Sequence, residues 1–500
     1  MKRVAEQVEL RLPLPVVVGN VDYRNFEARL VEIDRMLRES GLEGHFLETR
    51  LLAWERQGQR RSPTQRRFQR AVSDRAKVRY QRSCRQALRC NVARQLTEKE
   101  YRRFTRRLAE SALLQWFCGI DRIDKVRVPT KSTLERYDKL APECEVRELV
   151  NRLNQLTISG QMGLEQELEL DAYFSDATCV KAAIHFPVDW VLLRDGVRTL
   201  TKAILVIRRH GLRHRMPEPE GFLRSVNQLA MQMAQSRRRA DSRRQRKRVL
   251  RQMKRLNRVV MGHARRYRQK LAETWAEQTD LKAGAVHQIL KRIDDMLEQL
   301  PAAIRQAHER IIGERRVANA DKLLSLYERD LHVIVRGKAE AEIEFGNTLW
   351  LGEQSDGLIL DWKLLRDQSP GDAKLLREGL QRVHEVFGRY PHSAVGDRGL
   401  WSKDNERWLE RRGVYSALCP RGVRELELRM KGSQFRALQK RRAQTEGRIG
   451  TIKNDFLGRP LRSKGFEHRE LAAAWAVLTH NLWLLAGLGV AEQRSRQKAA

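Results

Sequence analysis

Apolar residues recur three or four positions apart through the first third of the chain, as in Leu30, Ile33, Met36 and Leu37, and again in Leu108, Ala112, Leu113 and Trp116. That spacing lines one face of an α-helix, so the stretch from Tyr23 to about Leu156 is predicted to be helical throughout. Thr97-x-x-Glu100 and Ser132-x-x-Glu135 read as capping boxes that open two of its helices. Near Leu168 the pattern turns strand-like, predicting strands over 168–177, 183–186, 343–351, 357–362, 393–395 and 414–418. Helical spacing returns at Leu375, Leu376, Leu380, Val383, Val386 and Phe387, and then from Phe435 onward.

Between the two groups of strands lie two long apolar stripes, Leu250, Met253, Leu256, Val260, Ala264, Tyr267, Leu271 and Val286, Ile289, Ile293, Leu297, Leu300, Ile304, Ala307, Ile311. Two antiparallel helices packed on each other satisfy both, with Pro301 expected to kink or split the second. The apolar stretch from Leu471 to Val490 approaches the length of a membrane span. It carries Thr479, His480 and Asn481 near its middle, which predicts a buried core helix and no membrane partner. The order of strands and helices gives an α/β class: a mixed-sheet core, interrupted by a long helical insertion and preceded by an all-α region. The expected divisions are 1–160 helical, 161–199 first part of the core, 200–327 insertion, 328–490 remainder of the core, and 491–500 a basic tail.

Charge changes the picture most. In 500 residues, 98 Lys and Arg stand against 63 Asp and Glu, a formal charge of +35. So lopsided a balance points to a polyanionic partner, and double-stranded DNA is the partner expected. The run from Arg237 to Arg258 holds 12 Lys and Arg with one acid, Asp241, and reads as a DNA-contacting arm through Arg237, Arg243, Arg246 and Lys247. Residues 127–135, a Pro-bearing turn leading into a helix that opens on Thr, Lys and Ser, suit contact with a DNA backbone or groove, which makes 1–160 a candidate DNA-binding region. Six cysteines without a CxxC pair or a Cys/His cluster read as reduced thiols, and the N-terminus has no signal-peptide h-region, so a cytoplasmic, nucleoid-associated protein is expected.

Three acids sit where the predicted elements can converge: Asp176 in a strand, Asp397 just after Val395-Gly396 at a strand end, and Glu446 on a helix. Two hard cations held by carboxylates from separate segments can stabilise both oxygens of an in-line displacement at phosphorus, so the three are candidate ligands for two Mg²⁺ or Mn²⁺ ions. Arg442, Glu446 and Lys453 share one helix face at about 100° per residue. Gly447 and Gly450 on the same helix suit a closely approaching backbone or DNA strand. Asp171 is a rival first acid by spacing. His185 and Asp189 could join a metal shell, although a polar strand-to-loop connection is the simpler explanation and the favoured one. Trp190 and Trp401 could stack on a base or simply pack in a core.

These motifs resemble insertion-sequence transposases of the DDE type, especially an ISNCY-like group. Asp176-Ala-Thr-Cys-Val-Lys through Leu200-Thr resembles the first-acid segment, Arg336-Gly-Lys-Ala-Glu-Ala-Glu-Ile-Glu-Phe-Gly346 the second-strand segment, Asp397-Arg-Gly-Leu the second-acid motif, and Glu446 with Lys453 the last acid and its trailing lysine. The resemblance implies an RNase H-like catalytic core and two divalent metals at Asp176, Asp397 and Glu446. It also implies phosphate contacts by Arg336, Lys338, Arg442 and Lys453, action on element terminal inverted repeats and target DNA, and a homodimer or higher assembly. Two departures stand out: Gln439 occupies a position where relatives often have Tyr, and Val188 and Trp190 replace a usual Thr and Ser. The alternatives are a nuclease of the same fold that does not join DNA, and an inactive basic DNA-binding protein.

Overall fold

The computed structural model describes residues 14, 16–59, 73–121, 125–236, 242–338 and 341–499. They divide into two compact units, one of residues 1–181, 348–365 and 369–500, the other of 182–347 and 366–368.

The first unit opens with α1 (Val21–Glu39), α2 (Leu42–Gln59), α3 (Asp74–Thr97), α4 (Tyr101–Glu110), α5 (Ala112–Phe117), α6 (Lys131–Asp138) and α7 (Glu143–Ile158). The expected helical region is therefore present, and Leu30, Ile33, Leu37 and Leu108 lie in its core. Neither capping box forms. Thr97 closes α3, its hydroxyl donating 2.7 Å to the Ala93 carbonyl, so it is not free to cap the next helix. The other helix starts two residues earlier than the motif suggests: Thr130, in extended backbone, accepts from the Thr133 N–H and leaves Ser132 inside the first turn.

The same unit holds the centre of a mixed sheet. Its strands are β1 (Ala172–Lys181), β2 (His332–Lys338), β3 (Ala341–Glu353), β4 (Ile359–Leu364), β5 (Ser393–Gly396) and β6 (Tyr415–Leu418), in the order β2-β3-β1-β5-β6 with β4 also on β3. β1, β5 and β6 run parallel, while β2 and β4 pair antiparallel with the two halves of β3. α12 (Asp372–Phe387), α13 (Lys403–Glu410), α14 (Val423–Met430), α15 (Ser433–Thr451) and α16 (Phe466–Ala499) complete it, with a π-helical turn over Ile452–Leu457. The expected strand at 183–186 is absent: beyond Ala182, whose N–H bonds the Phe345 carbonyl, the chain leaves the sheet ahead of Pro187. β2 is a strand that periodicity did not reveal.

α16 contains one segment long and apolar enough to cross a membrane, and most of it is buried inside the protein. Its polar middle explains itself there. Asn481 accepts from the Ile359 N–H at 3.1 Å and donates to the Ile359 carbonyl and to Asn154, so it closes the backbone edge of β4.

The second unit is a helical bundle: α8 (Asp189–Arg209), α9 (Pro219–Gln235), α10 (Ser242–Gln278) and α11 (Ala283–Ala307) around Val197, Leu200, Met253, Tyr267, Ile293 and Leu300. It has four helices where two were expected, and it begins well before residue 200. Pro301 does not split α11, which runs on to Ala307 before a π-helical turn. Leu300, Ala303, Ile304 and Ala307 are buried on both sides of the proline, and their burial offsets the hydrogen bond it removes.

Candidate active site

Strand register brings the first two acids together. β1 pairs in parallel with β5 at Ala172↔Ser393, Tyr173↔Ala394 and Phe174↔Val395. Continued two residues further, this register sets Asp176 level with Asp397, on neighbouring strands that lie about 4.8 Å apart. Alternation along the strands turns both toward the side where Ala172, Phe174 and Val395 pack with Phe435 of α15. Asp397 is locked by its own turn, its Oδ1 accepting from the Gly399 N–H at 2.8 Å and the Leu400 N–H at 3.3 Å. Asp176 accepts from the Ala177 N–H at 2.7 Å.

A further carboxylate, Asp372 at the head of α12, shares this place. A Cβ built on Gly399 would sit 3.1 Å from Asp397 Oδ1 and 3.2 Å from Asp372 Oδ2, so both carboxylates crowd the glycine and a larger residue would disturb them. Burial pushes the Asp176 carboxyl up to about 6, against the Ala177 hydrogen bond and Arg442, and with Asp397 and Asp372 raising it further. Burial and Asp397 also raise Asp372. Carboxylates whose charges oppose one another in a partly desolvated place offer hard oxygens with a deficit of positive charge. That chemistry fits divalent cations. Asp372 escaped sequence reasoning because an acid in the first turn of a helix ordinarily just complements the helix dipole.

α15 lies over this strand pair and is pinned at several places. Gln439 Nε2 donates to the carbonyls of Gly396 (3.2 Å) and Ala417 (2.6 Å), tying the helix to the ends of β5 and β6. The residue that departs from the family pattern thus has a structural task here. On the flank, Glu353 at the end of β3 is wholly buried and binds Arg441 (3.1 Å), the Thr445 hydroxyl (2.8 Å) and Arg448 (3.0 Å). Those three residues bracket Glu446. Arg442 is near enough to Asp176 to act on its charge and lies 3.5 Å from Glu446, while its buried Nε has no hydrogen-bond partner among the described residues. Lys453, on the π-helical turn beyond α15, donates 3.1 Å to the hydroxyl of Thr178, which follows Asp176 by two residues on the same face of β1.

Glu446 itself is 59% exposed and points along the helix to Arg442. Among the described residues no three His, Cys, Asp or Glu side chains are drawn together closely enough to hold a metal ion as they stand. Asp176 and Asp397 are thus brought side by side, and Glu446 is placed on the helix that covers them, its carboxylate turned to its own arginine. There is open space at Gly447 and Gly450: apart from the helix's own neighbouring backbone, no atom of the described residues lies within 4 Å of a Cβ at either position.

The remaining candidates separate. Asp189 is buried and held by Gln306 (2.8 Å) and by both contacts of Arg310 (2.9 Å), a structural role at the head of α8. His185 is exposed, Trp190 packs against the bundle core, and Trp401 packs against the core of the other unit. Asp171 accepts from its neighbouring Ala172 N–H. Lys247 pairs with Glu314 at 2.8 Å, Arg243 is exposed and Arg246 is half-buried. Arg237 lies outside the described residues. The backbone of Arg336 and Lys338 belongs to β2, and their side chains lie outside what is described. All six cysteines are free thiols.

Residues 352–482 match the family model described as the transposase DDE domain. The matched segment runs from β3 to α16 and contains Asp372, Asp397, Glu446 and Lys453; Asp176 lies upstream of it. This part of the chain is similar to transposase domains of the DDE type, and the mixed sheet with its flanking helices agrees with the RNase H-like core such a domain implies. No curated protein and no solved structure matches the chain significantly.

Proposed function

We propose that the protein is the transposase of an insertion sequence, which binds the element's terminal repeats, cleaves a DNA strand and joins the freed 3′ end to target DNA. The observation that carries this reading is the closeness of Asp176, midway along β1, to Asp397, just past the end of the parallel strand β5, in a core of which residues 352–482 match the transposase DDE domain. Asp176 and Asp397 would hold two Mg²⁺ or Mn²⁺ ions, with Glu446 turning in from α15 and Asp372 supporting from α12. Such ions supply activation of the attacking oxygen and stabilisation of the leaving one.

The chain's own residues do the rest. Burial raises the carboxyls of Asp176 and Asp372, so a cation beside them would relieve the cost of their charged form. Releasing Arg442 from Glu446 frees a guanidinium beside the acids for a phosphate, and Lys453 continues the positive line past Thr178. Arg336, Lys338, Arg243, Arg246 and Lys247 extend the DNA contacts, and two or more copies act together on paired ends. The test is incubation of the protein with a DNA fragment carrying the inverted repeats that flank its reading frame, with Mg²⁺ or Mn²⁺. Joined products are expected. Cleavage without joining would reduce the protein to a nuclease, and binding without cleavage to a DNA-binding protein.

A further inference from the structure

We propose that α4, with the head of α6, is a docking surface for the phosphate backbone of duplex DNA. The choice of DNA as the polyanion rests on the transposase reading. One side of α4 is fastened inward: Phe104 and Leu108 are fully buried, the Tyr101 hydroxyl donates 2.9 Å to Asp138, and the Thr105 hydroxyl donates 3.4 Å to the Pro129 carbonyl. This anchoring turns the other side out, and on it Arg102, Arg103, Arg106 and Arg107 are all exposed.

Arg102 with Arg106, and Arg103 with Arg107, are like-charge pairs one helical turn apart. Each such pair weakens an isolated helix by about 0.2 to 0.5 kcal/mol. Only Arg103 has an ion-pair partner among the described residues, Glu100 at 3.2 Å. A solvated face needs no such arrangement, whereas a polyanion removes its cost. The adjacent α6 adds Arg127 ahead of it, Lys131, which also pairs with Glu135 at 3.0 Å, and the exposed Ser132 hydroxyl, a group that hydrogen-bonds phosphate oxygens. Ten residues of helix span about 15 Å, enough to follow about four phosphates of one strand at about 3.4 Å of axial rise each.

The test uses the full chain with all four arginines replaced (Arg102→Gln, Arg103→Gln, Arg106→Gln, Arg107→Gln). The side chains are exposed and Gln is a good helix former, so the variant should keep the wild-type circular dichroism and melt at or slightly above the wild-type temperature. Binding of a random-sequence duplex is followed by fluorescence anisotropy across a range of KCl concentrations. The slope of log affinity against log salt should fall by about two to four units, since each lost phosphate contact removes about 0.9. A variant with four lysines in place of the arginines should keep the wild-type slope. An unchanged slope in the glutamine variant overturns the proposal, as does loss of preference for element ends without loss of slope, which would mean base reading. If the wild type shows no salt-dependent duplex binding, the transposase reading falls with it.

Discussion

At the scale of single residues, the site is governed by how much negative charge a partly buried place can hold. Asp397→Asn keeps the shape and the turn but removes a charged oxygen. The variant should fold, bind DNA and be inactive in cleavage and joining, and joining at the wild-type rate would show that Asp397 is not a catalytic residue. Asp176 permits a second, thermodynamic prediction. Its folded-state carboxyl titrates near 6, above the unfolded value of about 3.9. A group raised in this way adds stability below about pH 4, and that contribution is lost as the pH rises through 6. Asp176→Asn should therefore stabilise the metal-free protein at pH 7, by on the order of 2 kcal/mol, and this gain should vanish by pH 4. Denaturant unfolding at both pH values, in EDTA, checks it; a variant less stable than wild type at pH 7 would contradict the charge argument.

At the scale of elements, the position of α15 decides whether Glu446 can serve the two aspartates. Three contacts from one turn to the next converge on a single wholly buried carboxylate, Glu353, while Gln439 ties the second turn of the helix to the strand ends. Glu353→Ala would leave Arg441 and Arg448 without their buried partner, a loss of about 3 to 5 kcal/mol. The expected result is a lower unfolding midpoint together with faster hydrogen exchange along 439–451. Unaltered protection of α15 would mean that Gln439 and the apolar contacts at Phe435 and Ile449 suffice to hold it.

At the scale of the whole molecule, two units have separate cores, one built on the sheet and the N-terminal helices, the other on the four-helix bundle. Separate cores break single-step cooperativity. Calorimetry should give a measured unfolding enthalpy larger than the van't Hoff value, or two resolved transitions; a ratio near one would mean the two units unfold as one. The division also cautions against a simple excision of 200–327, because that cut would run through α8 and expose Val197 and its buried neighbours.

Much of this was legible in the chain. Periodicity marked the helical first third, the insertion stripes and most strands, because burial of one face imposes a period that any reader of apolar spacing can find. The strand-end position of Asp397 and the shared face of Arg442 and Glu446 follow from local geometry alone. What needed the folded structure was everything set by neighbours distant in sequence. The level register of Asp176 with Asp397 comes from strand pairing, and the presence of Asp372 beside them from the packing of α12. The occupation of Asp189 by Arg310, and the clamp on Glu353, join residues 88 to 121 positions apart. The capping boxes failed for the same reason: where a helix ends depends on what the preceding chain is already bonded to. Local spacing reports which face is buried, while the meeting of charges is decided by which faces the tertiary fold brings together.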